Sequence, residues 1–335
     1  MLPSVRTKPC ETPICAAQRW GLDDRPPLRA ASGMSGRGGR RVLLLAGLAL
    51  VLSGCGENGI SFMFPFGTVA AHQRAWFFWV AGLVAIVVLP TFVLVPGFAW
   101  RYRRTNKKAS YRPDWAFSWP LEFAIWGIPC LIVGALAFLI ISQETRFDPY
   151  AAIPSDQPPL EVQVVALNWK WLFIYPEQHI ATVGQLVIPQ GRTVSFRLTS
   201  DATMQSFFIP ALGSQIYAMA GMVTQLHLRA DKPGTLLGEN TQFNGTGFSG
   251  DKFTVSVVSP DAFASWVAAT GKDGPTLGAD SYRTLQSDRS VTRDGADFHL
   301  PPSGAQAYAS VQPGLFDSVV SKYRAGMMPQ GPGKP

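Results

Sequence analysis

The sequence predicts a membrane-anchored chain of mixed α and β structure, in which two transmembrane helices precede a β-sandwich. Two uncharged apolar runs, residues 75–100 and 123–142, are each long enough to cross a hydrocarbon core of roughly 30 Å. From about residue 158, short segments alternate or are rich in β-branched and aromatic residues, with turn residues between them. Only 15% of the residues are charged, which argues against a disordered chain and against a nucleic-acid-binding protein.

A shorter apolar run near the N-terminus, residues 42–52, follows three arginines and is too short to span a bilayer. A basic segment, a short apolar core and small residues after it are typical of a secretory signal. The run ends in Leu-Ser-Gly-Cys, which resembles a bacterial lipobox whose cysteine, here Cys55, becomes acylated. We therefore expect residues 34–54 to be a lipoprotein signal peptide. Residues 1–33 are expected to be an extension that is removed or that precedes the true start at Met34; the alternative for 42–52 is a short buried helix.

The loop between the two predicted spans concentrates positive charge. Residues 101–116 contain six lysines and arginines and a single acid, Asp114. Because basic loops stay on the cytoplasmic side of a membrane, we expect this loop in the cytoplasm. Cys55 and everything after the second span then lie on the periplasmic side. The prediction is a transmembrane hairpin over residues 55–145 in a bacterial inner membrane.

The strand pattern occurs in five segments of the C-terminal half. These are residues 160–175, 185–189, 193–199, 224–229 and 253–258. Short strands separated by Gly, Pro, Asn and Asp at this spacing predict a β-sandwich, which we place at residues 158–265. Residues 266–325 are expected to form a C-terminal periplasmic segment, loop-like over 271–306. The Pro/Gly-rich residues 326–335 are expected to be a disordered tail.

Several motifs of the predicted sandwich are similar to those of subunit II of the haem-copper respiratory oxidases. Residues 164–177 (VVALNWKWLFIYPE) resemble the aromatic strand of that family. Residues 206–222 (SFFIPALGSQIYAMAGM) resemble its ubiquinol-oxidase branch, the cytochrome bo type, and residues 248–250 and 311–316 extend the match. The resemblance implies that the sandwich is cupredoxin-like.

The resemblance also implies a function. The chain would be the non-catalytic subunit II of a proton-translocating terminal ubiquinol oxidase, which oxidises ubiquinol and reduces oxygen to water. Haems, a copper ion and the quinol site would lie in subunit I, since neither span of this chain contains a histidine. The chain would carry no cofactor, and its partners would be subunit I, small membrane subunits and the lipid bilayer. Two alternatives remain: a membrane-anchored, cupredoxin-like lipoprotein that acts as a binding module, and subunit II of a cytochrome c oxidase.

The cytochrome c branch of this family carries a dinuclear copper centre, which needs two bridging thiolates. The four cysteines of the chain are Cys10, Cys15, Cys55 and Cys130, and none lies in residues 158–260. The sequence therefore excludes that centre. The family comparison places the former side-chain ligands at Gln205, Asn240, Asn244, Phe248 and Asp251, and the carbonyl donor at Gln242. We interpret these six positions as a vestigial copper site without metal.

One acid stands at the edge of a predicted span. Glu122 is the last charged residue before the second apolar run, and ionisable groups in membrane helices are costly and therefore often functional. The resemblance implies that an acid in this Trp-Pro-Leu-Glu pattern lies near the mouth of a proton-uptake path. The alternative is an interfacial acid that reaches water or pairs with Arg112.

Overall fold

The computed structural model describes residues 62–110, 114–143, 148–155, 157–272, 274–290 and 306–327. The expected N-terminal extension, the signal peptide, the acylation of Cys55 and nearly all of the C-terminal tail lie outside these residues, as does Arg112.

Two long helices form the N-terminal part of the described structure. Helix α1 comprises Thr68–Arg101 and helix α2 comprises Trp119–Gln143, and both are long and apolar enough to cross a membrane. Beyond the first turn of α1, where Ala70 is buried, none of their described side chains is buried in a protein core. A helix that is apolar all round and has no protein packed on it is typical of a membrane span.

Helix α1 begins directly on the β-domain. The Phe66 N–H donates to the Ala211 carbonyl at 2.8 Å, and the Ala70 N–H donates to the Leu212 carbonyl at 3.1 Å. Gly67 lies so close to the backbone of Arg229 that a Cβ atom there would overlap the carbonyl oxygen. A glycine is needed because no other residue leaves room for this contact. The start of the first helix is thereby fixed to the sandwich.

Ten consecutive strands form all but one strand of the two main sheets of the domain. In chain order they are β1 (Leu160–Leu167), β2 (Lys170–Tyr175), β3 (Ile180–Val183), β4 (Gln185–Pro189), β5 (Thr193–Ser200), β6 (Gln205–Ile209), β7 (Gly213–Ala218), β8 (Thr224–Arg229), β9 (Gly234–Asn240) and β10 (Lys252–Val258). One sheet has the order β3-β2-β1-β5-β8, with a later strand, β12 (Gln306–Tyr308), paired antiparallel to β3 at its edge, and the other has the order β4-β10-β9-β6-β7. The core between them is aromatic, and the rings of Phe207 and Phe253 stack with centroids 5.2 Å apart. The predicted fold class, two apolar helices followed by a β-rich domain, is confirmed.

The segment with strand pattern over residues 160–175 divides into two strands in the structure. The segment is a hairpin, β1 and β2, whose two-residue turn is Asn168-Trp169. Trp169 has a φ of 60°, a left-handed conformation in which glycine or asparagine is usual. Both strands are buried on almost every residue, so the apolar run continues through the turn without the alternation that marks a half-buried strand.

The C-terminal part contains more regular structure than the sequence predicts. Its elements are α3 (Pro260–Thr270), β11 (Thr276–Leu277), α4 (Ala279–Ser287), β12 (Gln306–Tyr308), β13 (Ser310–Val311) and α5 (Leu315–Met327). Residues 271–306 were expected to be loop-like, but they include β11 and α4. Helix α4 is stabilised by packing Tyr282 and Leu285 into a second apolar cluster, a contact that local sequence does not reveal.

One buried acid joins this part to the sandwich. Asp201, which follows β5, accepts hydrogen bonds from the hydroxyls of Tyr282 at 2.8 Å and Tyr323 at 2.7 Å. The Lys322 ammonium lies 2.8 Å from the same carboxylate. Burial and the neighbouring Asp201 charge raise the pKa of Tyr282, so its hydroxyl stays a donor at physiological pH. Helices α4 and α5 are thus both attached to the end of β5.

Candidate functional site

The six predicted copper-site positions lie at one end of the sandwich. Gln205 begins β6 and Asn240 ends β9, whereas Gln242 and Asn244 lie in the loop that follows β9. A short 3-10 helix at Phe248–Gly250 ends this loop, and Asp251 follows it directly before β10. The structure therefore brings residues from two strands and one loop to the same region.

Asp251 is the centre of the hydrogen bonding at this end. Its side chain is fully buried, and Oδ2 accepts hydrogen bonds from Asn240 Nδ2 at 3.0 Å and from Asn244 Nδ2 at 2.9 Å. Burial raises the pKa of the carboxyl to about 7, although the Asn244 and Asn240 hydrogen bonds oppose that rise, as does the neighbouring Trp171 indole. The Trp171 indole nitrogen itself makes no hydrogen bond of good geometry. The site therefore contains one carboxyl that changes charge near neutral pH.

Asn240 connects the loop to the neighbouring strand. Its side-chain oxygen accepts hydrogen bonds from the backbone N–H groups of Ser206 and Gln242, each at 2.9 Å. Its Nδ2 group also donates to the Gln242 carbonyl at 2.7 Å. Both hydrogens of the amide are used, and the oxygen accepts twice. This single side chain links β6, the end of β9 and the loop.

The other two positions make different contacts. Gln205 is fully buried and donates from Nε2 to the Leu167 carbonyl at 2.6 Å, which joins β6 to the end of β1. Phe248 packs its ring against Phe243, with centroids 5.6 Å apart, and Phe243 is 73% exposed. Four of the six predicted positions thus form one hydrogen-bonded group, while Gln205 and Phe248 support its edges.

The residues at these positions do not fit a dinuclear copper centre. That centre requires sulfur ligands and imidazoles. The side chains at the six positions are instead four amides, one carboxyl and one phenyl ring. The Asn240 and Asn244 nitrogens are turned toward Asp251 as donors, so they cannot act as metal ligands. Within the described ranges, no group of three or more His, Cys, Asp or Glu side chains is placed to hold a metal ion.

Sequence reasoning did not identify Trp169 as part of this site. Its indole nitrogen donates to the Asn244 carbonyl at 3.3 Å, across 75 residues of sequence. Its ring lies directly on Gly247, where a Cβ atom would overlap the indole. The available signal was the Gly245-Thr246-Gly247 segment, because glycines in a loop often mark a close approach by another group.

Glu122 lies in the first turn of α2, apart from the sandwich. Its Oε2 accepts a hydrogen bond from the Trp126 indole nitrogen at 3.1 Å, one turn further along the helix. The carboxylate borders a shallow groove of about 350 Å³ whose other walls are apolar, formed by Trp119, Phe123, Trp126, Gly127 and Cys130. An acid on an otherwise apolar helix surface is held in place by this indole.

Comparison with known proteins agrees with this architecture. The model of the family "Cytochrome C oxidase subunit II, periplasmic domain" matches residues 160–258. The chain is 41% identical over 274 residues to a cytochrome bo(3) ubiquinol oxidase subunit 2 of Pseudomonas putida, covering 82% of this chain and 83% of that protein. It is 42% identical over 292 residues to a ubiquinol oxidase subunit 2 of Acetobacter aceti, covering 86% and 90%.

A more distant relative, the quinol oxidase subunit 2 of Bacillus cereus, is 34% identical over 244 residues, covering 72% of this chain and 84% of the relative. Each of these matches spans more than two thirds of both proteins, so it extends well beyond the β-domain. The chain therefore belongs to the ubiquinol oxidase subunit 2 family.

Proposed function

We propose that this chain is the non-catalytic subunit II of a proton-translocating terminal ubiquinol oxidase in an aerobic respiratory chain. The observation that carries the proposal is the replacement of the copper ligands by the Asp251 hydrogen-bonded group. A subunit that receives electrons from cytochrome c needs the copper centre at that position. Without it, the electrons of the complex come from a membrane-soluble donor, and two of the relatives described above are named ubiquinol oxidase subunits.

The haems, copper and quinol site are assigned to subunit I, and this chain is proposed to carry no redox centre. Subunit I and small membrane subunits are its protein partners. The chain topology supports an orientation with the β-domain in the periplasm, because α1 begins on the sandwich and ends at the basic loop. At that end the Arg103 guanidinium lies 5.6 Å from the Trp100 ring centroid, an arrangement suited to lipid headgroups.

Lipidation at Cys55 is part of the same proposal, with an inner-membrane lipoprotein as the mature form. Of the two alternatives, a free-standing binding module and a cytochrome c oxidase subunit, neither is favoured. Purification through a tag on this chain separates all three. We expect copurification of a large haem-containing subunit and oxygen consumption with ubiquinol but not with reduced cytochrome c. Isolation of the chain alone would support the binding module, and activity with cytochrome c would refute the proposal.

We further propose that Glu122 collects protons at the cytoplasmic end of α2 and passes them to subunit I. The Trp126 indole holds the carboxylate at 3.1 Å on the groove surface, where a neighbouring subunit can contact it. Because the surrounding groove is apolar, the acid has no structural partner in the described part of α2 other than this indole. A positioned, accessible carboxylate with few partners is suited to proton transfer rather than to packing.

The test is Glu122→Gln in the complete oxidase, with Glu177→Gln, an exposed acid of the β-domain, as the matched control. Haem content and assembly are expected to be unchanged in both variants. Quinol oxidation is expected to slow several-fold in Glu122→Gln, most strongly at high pH where protons are scarce. A rate equal to that of the control across the pH range would leave Glu122 as an interfacial acid without a role in proton uptake.

A further inference from the structure

A groove of about 420 Å³ lies at the C-terminal end of helix α1, far along the chain from the site described above. We call it the α1-end groove, and it is lined by Gly97, Trp100, Arg101, Arg103 and Asn106. The first three residues are three and four positions apart on the helix, so they share one face. A Cβ atom on Gly97 would meet no other atom within 4 Å, so the helix surface is open at this residue. The groove therefore has a recessed floor of glycine and tryptophan beside two arginines.

The turn after α1 fixes the backbone that carries both arginines. The side-chain amide of Asn106 donates to the Arg101 carbonyl at 2.5 Å, and its backbone N–H donates to the Arg103 carbonyl at 2.9 Å. The side-chain oxygen of Asn106 accepts from the Lys108 N–H at 3.1 Å. One asparagine thus holds the chain reversal that places two basic side chains at the edge of one groove.

The positive charge of the α1-end groove is not neutralised within the described part of the chain. Arg101 and Arg103 are exposed, and neither forms an ion pair with a described carboxylate. The Arg103 guanidinium lies 5.6 Å from the Trp100 ring centroid. The C-terminal end of a helix carries about half an elementary negative charge, which two guanidinium groups outweigh. The groove is therefore suited to an anion.

We propose that the α1-end groove binds the headgroup phosphate of an anionic phospholipid. The proposal requires that α1 crosses the membrane, but it does not depend on the quinol oxidase function. Guanidinium groups match phosphate oxygens in geometry and can donate two hydrogen bonds to one phosphate. Arg101 and Arg103 hold the phosphate, and the floor formed by Gly97 and Trp100 contacts the glycerol part of the lipid.

The position of the groove favours a lipid over a soluble phosphate. Val93, Val95 and Phe98, which precede it on α1, are each more than half exposed, so apolar surface continues from the groove along the helix. Trp100 is 71% exposed at the end of the apolar run, and tryptophan is enriched at the level of the lipid headgroups. A molecule with a phosphate and acyl chains contacts both the arginines and this apolar surface. A net negative lipid is favoured over phosphatidylethanolamine, whose ammonium group would lie near the guanidinium groups.

The test measures lipid binding by native mass spectrometry, on the complete membrane assembly that contains this chain, after its lipids have been removed. The probes are phosphatidylglycerol, phosphatidylethanolamine and inorganic phosphate. The variant Arg101→Gln/Arg103→Gln is compared with a matched control, Arg104→Gln/Lys107→Gln, which removes the same charge from the same loop outside the groove. Both variants keep four of the six basic residues of 101–116, which preserves the basic loop that sets the orientation.

Wild type and the control variant are expected to bind phosphatidylglycerol more tightly than phosphatidylethanolamine. At about fivefold for each arginine lost, the groove variant should bind phosphatidylglycerol about thirtyfold more weakly. An equal loss in both double variants would indicate general attraction by the loop and would overturn the proposal, as would no loss in the groove variant. Displacement of phosphatidylglycerol by inorganic phosphate would identify a site for soluble anions and would refute the lipid assignment.

A second comparison tests the shape of the groove without changing its charge. Gly97→Leu extends a side chain into the open floor, and Gly82→Leu is the matched control because a Cβ atom there also meets nothing within 4 Å. We expect weaker binding of phosphatidylglycerol in Gly97→Leu only. Unchanged binding in that variant, or a structure of the assembly in which a protein segment fills the groove, would overturn the proposal.

Discussion

Asp251→Asn is expected to change how the stability of the sandwich depends on pH. In the folded chain, burial raises the pKa of this carboxyl from 3.8 to about 7. Its protonated form is therefore favoured by folding. The stability that this preference provides is fully present below pH 4 and is lost as the pH rises through 7. Asparagine has a similar shape, keeps an oxygen that accepts from Asn240 and Asn244, and does not titrate.

The magnitude follows from the size of the pKa change. At roughly 1.4 kcal/mol per pH unit, the full change corresponds to about 4 kcal/mol, of which about 3 kcal/mol falls between pH 5 and pH 8. The stability of Asp251→Asn relative to wild type is thus expected to improve by about 3 kcal/mol over that range. At about 2–4 °C per kcal/mol for a domain of this size, the melting temperatures should shift relative to each other by about 10 °C.

The assay is thermal unfolding of the full chain in detergent, followed by fluorescence at several pH values. Trp171 and Trp266 lie in or against the sandwich core and report on its unfolding. Wild type and Asp251→Asn contain the same histidines. The contribution of those histidines to the pH dependence of stability therefore cancels when the two proteins are compared at each pH. Among the described residues, Asp288 is the other carboxyl with a strongly shifted pKa; Lys170 lowers its pKa to about 2, so it titrates below this window. A difference between the two proteins that does not vary with pH would refute the reasoning.

Three further outcomes are expected. The purified full chain should take up no stoichiometric copper and develop no purple colour when copper is added; a coloured centre would contradict the conclusion that the residues at the six positions do not fit a dinuclear copper centre. Asp201→Ala should destabilise the C-terminal helices by about 1–3 kcal/mol, because it leaves the buried Tyr282 hydroxyl without its acceptor, whereas the half-exposed Lys322 ammonium can be hydrated. Limited proteolysis would then cut the C-terminal segment sooner, whereas Asp280→Ala, at an exposed acid, should not have this effect. Cys55→Ala should lose labelled fatty acid yet stay in the membrane fraction; its release would mean that α1 and α2 do not anchor the chain.

Some of this architecture could be predicted because it depends on composition over long stretches. An uncharged run of 20 or more residues is stable as a helix in lipid whatever its neighbours are, so α1 and α2 were evident from the sequence. The lack of thiolates for a dinuclear copper centre was equally evident, since none of the four cysteines lies in residues 158–260. The strands of the sandwich were only partly predicted. Residues 180–183, 205–209, 213–218 and 234–240 also form strands, which their short and irregular patterns did not indicate.

The features that only the tertiary structure decided all depend on contacts between distant residues. Trp169 adopts a left-handed turn conformation and packs on Gly247, which lies 78 positions further along the chain. Asp201 meets its partners 81 to 122 residues away. Asp251 was predicted only as the replacement for a ligand, yet the fold makes it a buried carboxyl that two asparagine amides contact. Sequence specifies which groups are present, but the pKa and partners of a group depend on which other groups the packed chain places around it and on how far it is removed from water.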